Sequence, residues 1–217
     1  FNKTNGKSKL KISKNNKNLT VLMISCLQKN KVAVQNLVKK VKIDIFARSK
    51  DNLDALIIAI KSSETEKEFL EIAKPIIKKT VDKLDRTDSL GLDKQSNTSL
   101  HLLVNKEWTK SIKFFNNSIF FDVIDSNQFD PLISSIAKGK TKSLEALLNI
   151  EVVHNSLNEL LFSEDETKKD FAIKRALSMT PKNIYQEICS ILLNNINRRY
   201  VIKNKLLKII NDIKKAK

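Results

Sequence analysis

Apolar residues recur along this chain at helical spacing, in pairs of short stretches divided by polar turns. Leu22, Ile24 and Cys26 open the first pair, and Ala33, Val34, Leu37 and Val38 place its second stripe on one helix face. The alternation returns with Ala55, Leu56, Ile57, Ile58, Ala59 and Ile60, followed by Phe69, Ile72, Ala73, Ile76 and Ile77. A third pair runs from Leu100 to Val104 and near Ser111 to Phe115. A fourth joins Leu132, Ile133, Ile136 and Ala137 to Leu144, Ala146, Leu147 and Leu148. A weaker fifth pair sets Phe171, Ala172, Ile173, Ala176 and Leu177 before Ile184, Ile188, Ile191, Leu192 and Leu193, entered through Pro181. Pro75 lies inside its stripe, which predicts a kink or a late helix start there. The polar stretch Lys61 to Lys67 reads as a long loop, and Val81 to Leu92 as an insertion. With only 3 Gly and 3 Pro, the chain lacks the turn residues that antiparallel sheets need, so the expected class is all-α.

The stretch Asp93 to Val104 reads D-K-Q-S-N-T-S-L-H-L-L-V. It resembles the opening of an ankyrin repeat, D-x-x-G-x-T-P-L-H-x-A-A, with Thr98, Leu100, His101 and Leu102 on matching positions. Thr20-Val21-Leu22-Met23, Asp54-Ala55-Leu56-Ile57 and Asp130-Pro131-Leu132 stand at the same place in three further pairs, while Ala172 marks it weakly in a fifth. Leu22, Leu56, Leu100, Leu132 and Ala172 are spaced 34, 44, 32 and 40 residues apart, with insertions in loops accounting for the long intervals. The resemblance implies an α-solenoid of four to five helix-turn-helix repeats over residues 16–195, at about 16–49, 50–92, 93–124, 125–160 and 165–195. Residues 1–15 read as a basic flexible arm, and 196–217 as a basic amphipathic helix capping the array. The family's repeat glycines are nearly all replaced, by Asn and Lys, at a cost of roughly 1 kcal/mol for each left-handed residue that carries a Cβ. Generic helical pairs would give the same hydrophobic pattern.

The net charge of +16 suggests nucleic acid until it is located. Residues 1–18 carry +6 and residues 194–217 carry +7, leaving +3 for the 175 between. Only five of the 40 basic residues are Arg, whereas phosphate and base readers lean on the bidentate Arg fork, so nucleic acid is not the expected partner. Cys26 and Cys189 both sit in apolar helical stretches and read as reduced, buried packing in a cytoplasmic setting. No apolar run is long enough to span a bilayer, and no secretory leader is visible. A chain opening on Phe1 is expected to be a piece of a longer protein.

The chemical constellations of an enzyme do not assemble. His101 and His154 lie 53 residues apart with no metal-ligand spacing to a Cys or to each other. Lys138-Gly139-Lys140-Thr141 lacks the glycine spacing of a phosphate loop, and the acidic run Glu164, Asp165 and Glu166 fits a helix start. No catalytic, cofactor or metal residue is therefore assigned. The resemblance instead implies a protein-binding scaffold, monomeric, that meets a partner protein through a concave face and finger loops. Tip residues on such a frame are the candidates: Phe46, Arg48 and Lys50; Arg86 and Asp88; Asp122, Ile124 and Asn127. Trp108, the lone tryptophan, reads either as an interface anchor or as local packing. In the C-terminal segment Ile196, Tyr200, Leu206, Leu207, Ile210 and Ile213 form an apolar face. Arg198, Arg199, Lys203, Lys205, Lys208, Lys214 and Lys215 cover the remainder, which suits a cap or an anionic membrane surface. Ankyrin-like domains in Lys-, Asn- and Ile-rich chains resemble those of intracellular bacteria that engage host proteins, which implies a host-directed effector.

Overall fold

Four helices start on a side-chain oxygen two residues before a buried apolar residue. Thr20, Asp54, Thr98 and Asp130 each accept a hydrogen bond from the backbone N–H three residues on, at Met23, Ile57, His101 and Ile133. Such caps satisfy one of the helix's orphan donors. The computed structural model describes residues 18–40, 43–150, 153, 169–195 and 200–216, and among these every regular element is helical. The expected basic arm, His154, the acidic run 164–166, Ile196, Arg198 and Arg199 lie outside the described residues, as do the side chains of Phe171, Ala172, Tyr200, Lys203 and Lys205.

The elements are α1 (Val21–Leu27), α2 (Lys31–Lys39), α3 (Ala55–Ser62), α4 (Glu66–Lys83), α5 (Ser99–Lys106) and α6 (Thr109–Ile112). They continue as α7 (Pro131–Ala137), α8 (Thr141–Leu148), α9 (Lys169–Met179), α10 (Tyr185–Asn195) and α11 (Tyr200–Ala216). Two single-turn 3₁₀ segments, Thr87–Ser89 and Ser118–Phe121, sit in the connections. Contacts run in two series. The first helices meet in the order α1, α3, α5, α7, α9, and α2 packs on α4, α4 on α6, α6 on α8 and α8 on α10. Helix α11 closes the far end against α9 and α10. One continuous apolar cluster, from Leu22 to Ile213, fills the space between the series.

Three expectations about α3 to α6 need correction. The loop at Lys61 to Lys67 shrinks to Ser63–Thr65, because α3 runs through Ser62 and Thr65 caps α4 by accepting from Glu68 N–H. Pro75 does not delay α4, which starts nine residues earlier at Glu66 and continues to Lys83, taking in the first residues of the expected insertion. Burial of Ile72, Ala73, Ile76 and Ile77 on both sides of the proline outweighs the backbone bond it forfeits. Helix α6 is a four-residue turn starting at Thr109 rather than near Ser111.

Each pair also completes the helix ends of the pair before it. Ser62 Oγ donates to the Cys26 carbonyl, Ser143 Oγ to the Val104 carbonyl and Thr180 Oγ1 to the Ile136 carbonyl, at 3.2, 2.9 and 2.8 Å. In the second series Lys79 Nζ reaches the Val38 and Lys40 carbonyls, and Asn117 Nδ2 those of Val81 and Leu84. The last carbonyls of a helix lack the usual helical partner; those of Cys26, Val104 and Ile136 accept from the turn N–H groups of Lys29, Glu107 and Gly139, and the bond from the next pair engages their second lone pair.

Three of the turns between paired helices contain a left-handed residue, and only one of the three is glycine. Lys29 and Glu107 take left-handed φ of 56° and 54° where Gly139 takes 63°. The C-terminal helix buries Leu206, Ile209, Ile210 and Ile213, and Tyr185 Oη donates to the Ile210 carbonyl, so the described part of the apolar face expected of that segment packs on the core. Cys26 and Cys189 are buried, and burial pushes the Cys26 thiol up to about 12.

Candidate recognition surface

A second set of left-handed residues keeps the interval of the helix caps. Asn18, Asn52, Ser96 and Gln128, with φ of 57°, 61°, 58° and 63°, each stand four residues before Leu22, Leu56, Leu100 and Leu132. Each of the last three ends a small closed turn. Ser49, Asp93 and Asp125 donate their N–H to the carbonyls of Leu53, Asn97 and Phe129 at 2.9, 3.0 and 2.8 Å. Their side-chain oxygens accept from inside the same loop: Ser49 Oγ from Leu53 N–H, Asp93 Oδ1 from Gln95 and Asn97 N–H, and Asp125 Oδ1 from Asn127 and Phe129 N–H. Neighbouring turns are tied through the backbone, Leu92 N–H to the Asn52 carbonyl at 3.0 Å and Ser126 N–H to the Gln95 carbonyl at 2.9 Å.

Buried polar groups hold these turns on the helices. His101 is fully buried. Its Nδ1 lies 3.3 Å from Thr98 N and its Nε2 3.0 Å from the Phe129 carbonyl. A backbone N–H only donates and a carbonyl only accepts, so the ring is neutral with its proton on Nε2. Burial lowers its pKa, against the opposing pull of the Phe129 bond and Asp125. Asp54 accepts from Ile57 N–H at 2.8 Å and from Gly91 N–H at 3.0 Å, and burial raises its carboxyl despite both bonds. Gly91 is required there, since a Cβ would stand 2.6 Å from the Asp54 nitrogen. Asp93 and Asp125 pair with Lys61 and Lys138 at 3.3 and 3.6 Å. Burial alone would raise Asp93, but the N–H bonds from Asn97 and Gln95 hold it below the usual carboxylate range.

Asp130 gives this frame a pH dependence. Burial pushes its carboxyl up to about 6, against the bonds from Ile133 and Leu132 N–H. A carboxyl raised on folding means that the ionised form weighs on the native state at neutral pH, and the weight lifts as pH falls through about 6. Asp130→Asn keeps a capping oxygen and removes the titration. Its stability advantage over the parent chain should therefore shrink by about 1 kcal/mol between pH 7 and pH 5. Urea denaturation of both proteins at the two pH values checks this; a constant difference would contradict it.

The tip candidates divide into three groups. Arg48 donates to Asn52 Oδ1 at 3.1 Å and to the Asp88 carbonyl, while Arg86 pairs with the Asp88 carboxylate at 3.1 Å, so Arg48, Arg86 and Asp88 form one cluster across adjacent turns. Phe46 packs partly against the core, and Lys50 is exposed. Asp122, Ile124 and Asn127 are exposed further along, with Ile124 46% accessible. Trp108 is apart from both groups. It is 8% accessible, its ring centroid lies 5.4 Å from that of Phe69, and Lys106 Nζ stands 4.4 Å above it. Of the two readings the residue allowed, the contacts are those of local packing.

Arg175, in α9, was not among the candidates. Its guanidinium donates to the Asn127 carbonyl at 3.2 Å and lies 5.0 Å from the centre of the Phe129 ring. Its one advance signal was the scarcity of Arg in a Lys-rich chain. Residues 55–60 and 131–137 are buried throughout, so the middle first helices offer little side-chain surface and the exposed groups gather at the turn tips. Among the described residues, no cluster of His, Cys, Asp and Glu could hold a metal ion, and no helix is long and apolar enough to cross a membrane. The chain matches no protein-family model and no curated protein.

Proposed function

We propose that this chain is a non-catalytic scaffold of degenerate ankyrin-like repeats, with α11 as its cap, that binds a partner protein through its finger turns. The observation that carries the reading is the repeated turn. Left-handed residues at Asn18, Asn52, Ser96 and Gln128 keep the same 34, 44 and 32 residue intervals as the capped helices they precede, and adjacent turns are joined through their backbones. A hydrogen-bonded row of turns with charged and apolar tips holds a binding surface fixed before the partner arrives, which reduces the ordering cost of association. The same reading makes the chain cytoplasmic, in a host cell if it is an effector, and monomeric.

The test is retention of a partner from lysate by the intact chain and by a variant carrying Lys50→Ala, Arg86→Ala, Ile124→Ser and Asn127→Ala. The expected result is a protein partner whose retention drops at least about tenfold in the variant, the size of effect a single central contact group supplies. Recovery of nucleic acid or lipid alone, or retention indifferent to the tips, would overturn the reading.

One observation favours a second reading. The +6 and +7 of the two ends would suit an anionic membrane or nucleic acid. Against it, the apolar residues Leu206, Ile209, Ile210 and Ile213 are buried on the core, so α11 would have to undock to enter lipid. Binding of this kind collapses between about 50 and 200 mM salt through counterion release, a dependence that tip-mediated protein binding lacks.

A further inference from the structure

The second helices carry a groove of about 890 Å³ running along α2, α4 and the α6 turn, and no residue of the finger turns lines it. Its floor is apolar: Leu70, Pro75 and Val81 are half-buried, and Phe114, just past α6, is 39% accessible. An exposed aromatic ring beside half-buried aliphatic groups is the composition of an interaction site rather than of ordinary surface.

The charges around this floor are unequally engaged. Of the three carboxylates, Glu71 pairs with Lys31 at 3.8 Å and Glu66 accepts from Ser111 N–H at 2.7 Å, leaving Asp82. The same lining holds Lys67, Lys74, Lys78 and Lys110, none within ion-pair distance of a described carboxylate. Lys74 Nζ instead lies 5.2 Å from the centre of the Phe114 ring. The groove is thus an apolar trough whose lining sets five lysines against three carboxylates, a net charge of +2.

We infer that this groove docks an acidic amphipathic segment of a partner protein, with aliphatic or aromatic anchors on Leu70, Val81 and Phe114 and carboxylates on Lys67, Lys74, Lys78 and Lys110. Charge complementarity selects the occupant: the lysines attract anions and the recessed floor rewards apolar side chains between them. A bilayer surface would need apolar groups that protrude, whereas these lie in a trough. A nucleic acid would find one aromatic ring and no arginine here. The inference is independent of the finger turns and stands whether or not they bind anything.

The experiment displays a random library of peptides three to four helical turns long to the intact chain. Enriched peptides are then measured by fluorescence anisotropy on the parent chain, on Phe114→Ala and on a Lys67→Glu, Lys74→Glu, Lys78→Glu, Lys110→Glu variant. Peptides rich in Asp and Glu around Leu, Phe or Trp are expected, losing at least about tenfold affinity on both variants. Photo-crosslinking of the same peptides to the parent chain keeps the test valid if a variant fails to fold, and should label α2, α4 and the segment around Phe114. Enriched peptides without acidic bias, equal binding to the charge-reversed chain, or crosslinks elsewhere would overturn the inference. So would a groove that takes only phosphatidylserine vesicles or poly(U).

Discussion

Phe69→Ala should lower the stability of this chain by about 4 kcal/mol, the upper range for removing a buried aromatic ring. Phe69 is fully buried, stands near the start of α4 and stacks on Trp108 from the next pair, which in turn carries Lys106 over its face. One substitution therefore empties a site shared by two helix pairs and undercuts a ring contact worth about 1 kcal/mol beyond its area. Native domains are stable by only about 5–15 kcal/mol, so the urea midpoint should fall by about a quarter or more of its value. Phe69→Leu refills most of the volume and should restore most of the loss. A midpoint shift for Phe69→Ala smaller than that of an exposed substitution such as Val32→Ala would show that α4 and α6 are not held through this contact.

The second large effect falls on His101. His101→Ala removes the acceptor for Thr98 N–H and the donor for the Phe129 carbonyl, both buried, and severs a side-chain link between successive turns. The Phe129 carbonyl keeps its bond from Asp125 N–H, so the loss is one unsatisfied buried donor at Thr98, about 1–3 kcal/mol, and one further bond of about 1 kcal/mol, which sets the expected total at about 3 kcal/mol. The parent chain should also carry a pH signature that the variant lacks. Burial holds the imidazole pKa below its ordinary value, so the neutral ring's contribution is complete above the unfolded pKa, near 6.5, and is lost as pH falls below it. This acid limb runs opposite to that of Asp130, so the two are separated by comparing each variant with the parent chain. An unchanged acid limb in His101→Ala would assign the bond network elsewhere.

Much of this architecture could be read before any coordinate. Helix caps and apolar periods are local, so Thr20, Asp54, Thr98 and Asp130 located the first helices of four pairs, and Leu22 to Leu132 fixed their register. The bond between Thr98 and His101 is local in the same sense, spanning three residues, whereas the Phe129 carbonyl that His101 meets lies 28 residues on. Features that depend on neighbours were not legible. The late helix start allowed at Pro75 did not occur, because the burial that sustains α4 across it comes from other helices. Lys29 and Glu107 hold left-handed turns with a Cβ, so no glycine marked them. The groove draws Leu70, Val81 and Phe114 from separate positions whose exposure follows from stacking rather than from local pattern. Arg175 reaches Asn127 across 48 residues, a separation no periodicity encodes.

The bonds from Ser62, Ser143 and Thr180 to carbonyls of the preceding pair all point one way along the chain. A unit emerging from the ribosome therefore leaves a carbonyl of its first helix one hydrogen bond short of its native set until the next unit has been made. Synthesis proceeds from the amino end while completion arrives from the carboxyl end, so each unit waits for its successor. A chain cut after one of these pairs loses the pair that follows and also takes a hydrogen bond from the first helix of the last pair kept. Shortened versions should accordingly fray inward from the cut, and the protein's two ends are not equivalent places to trim.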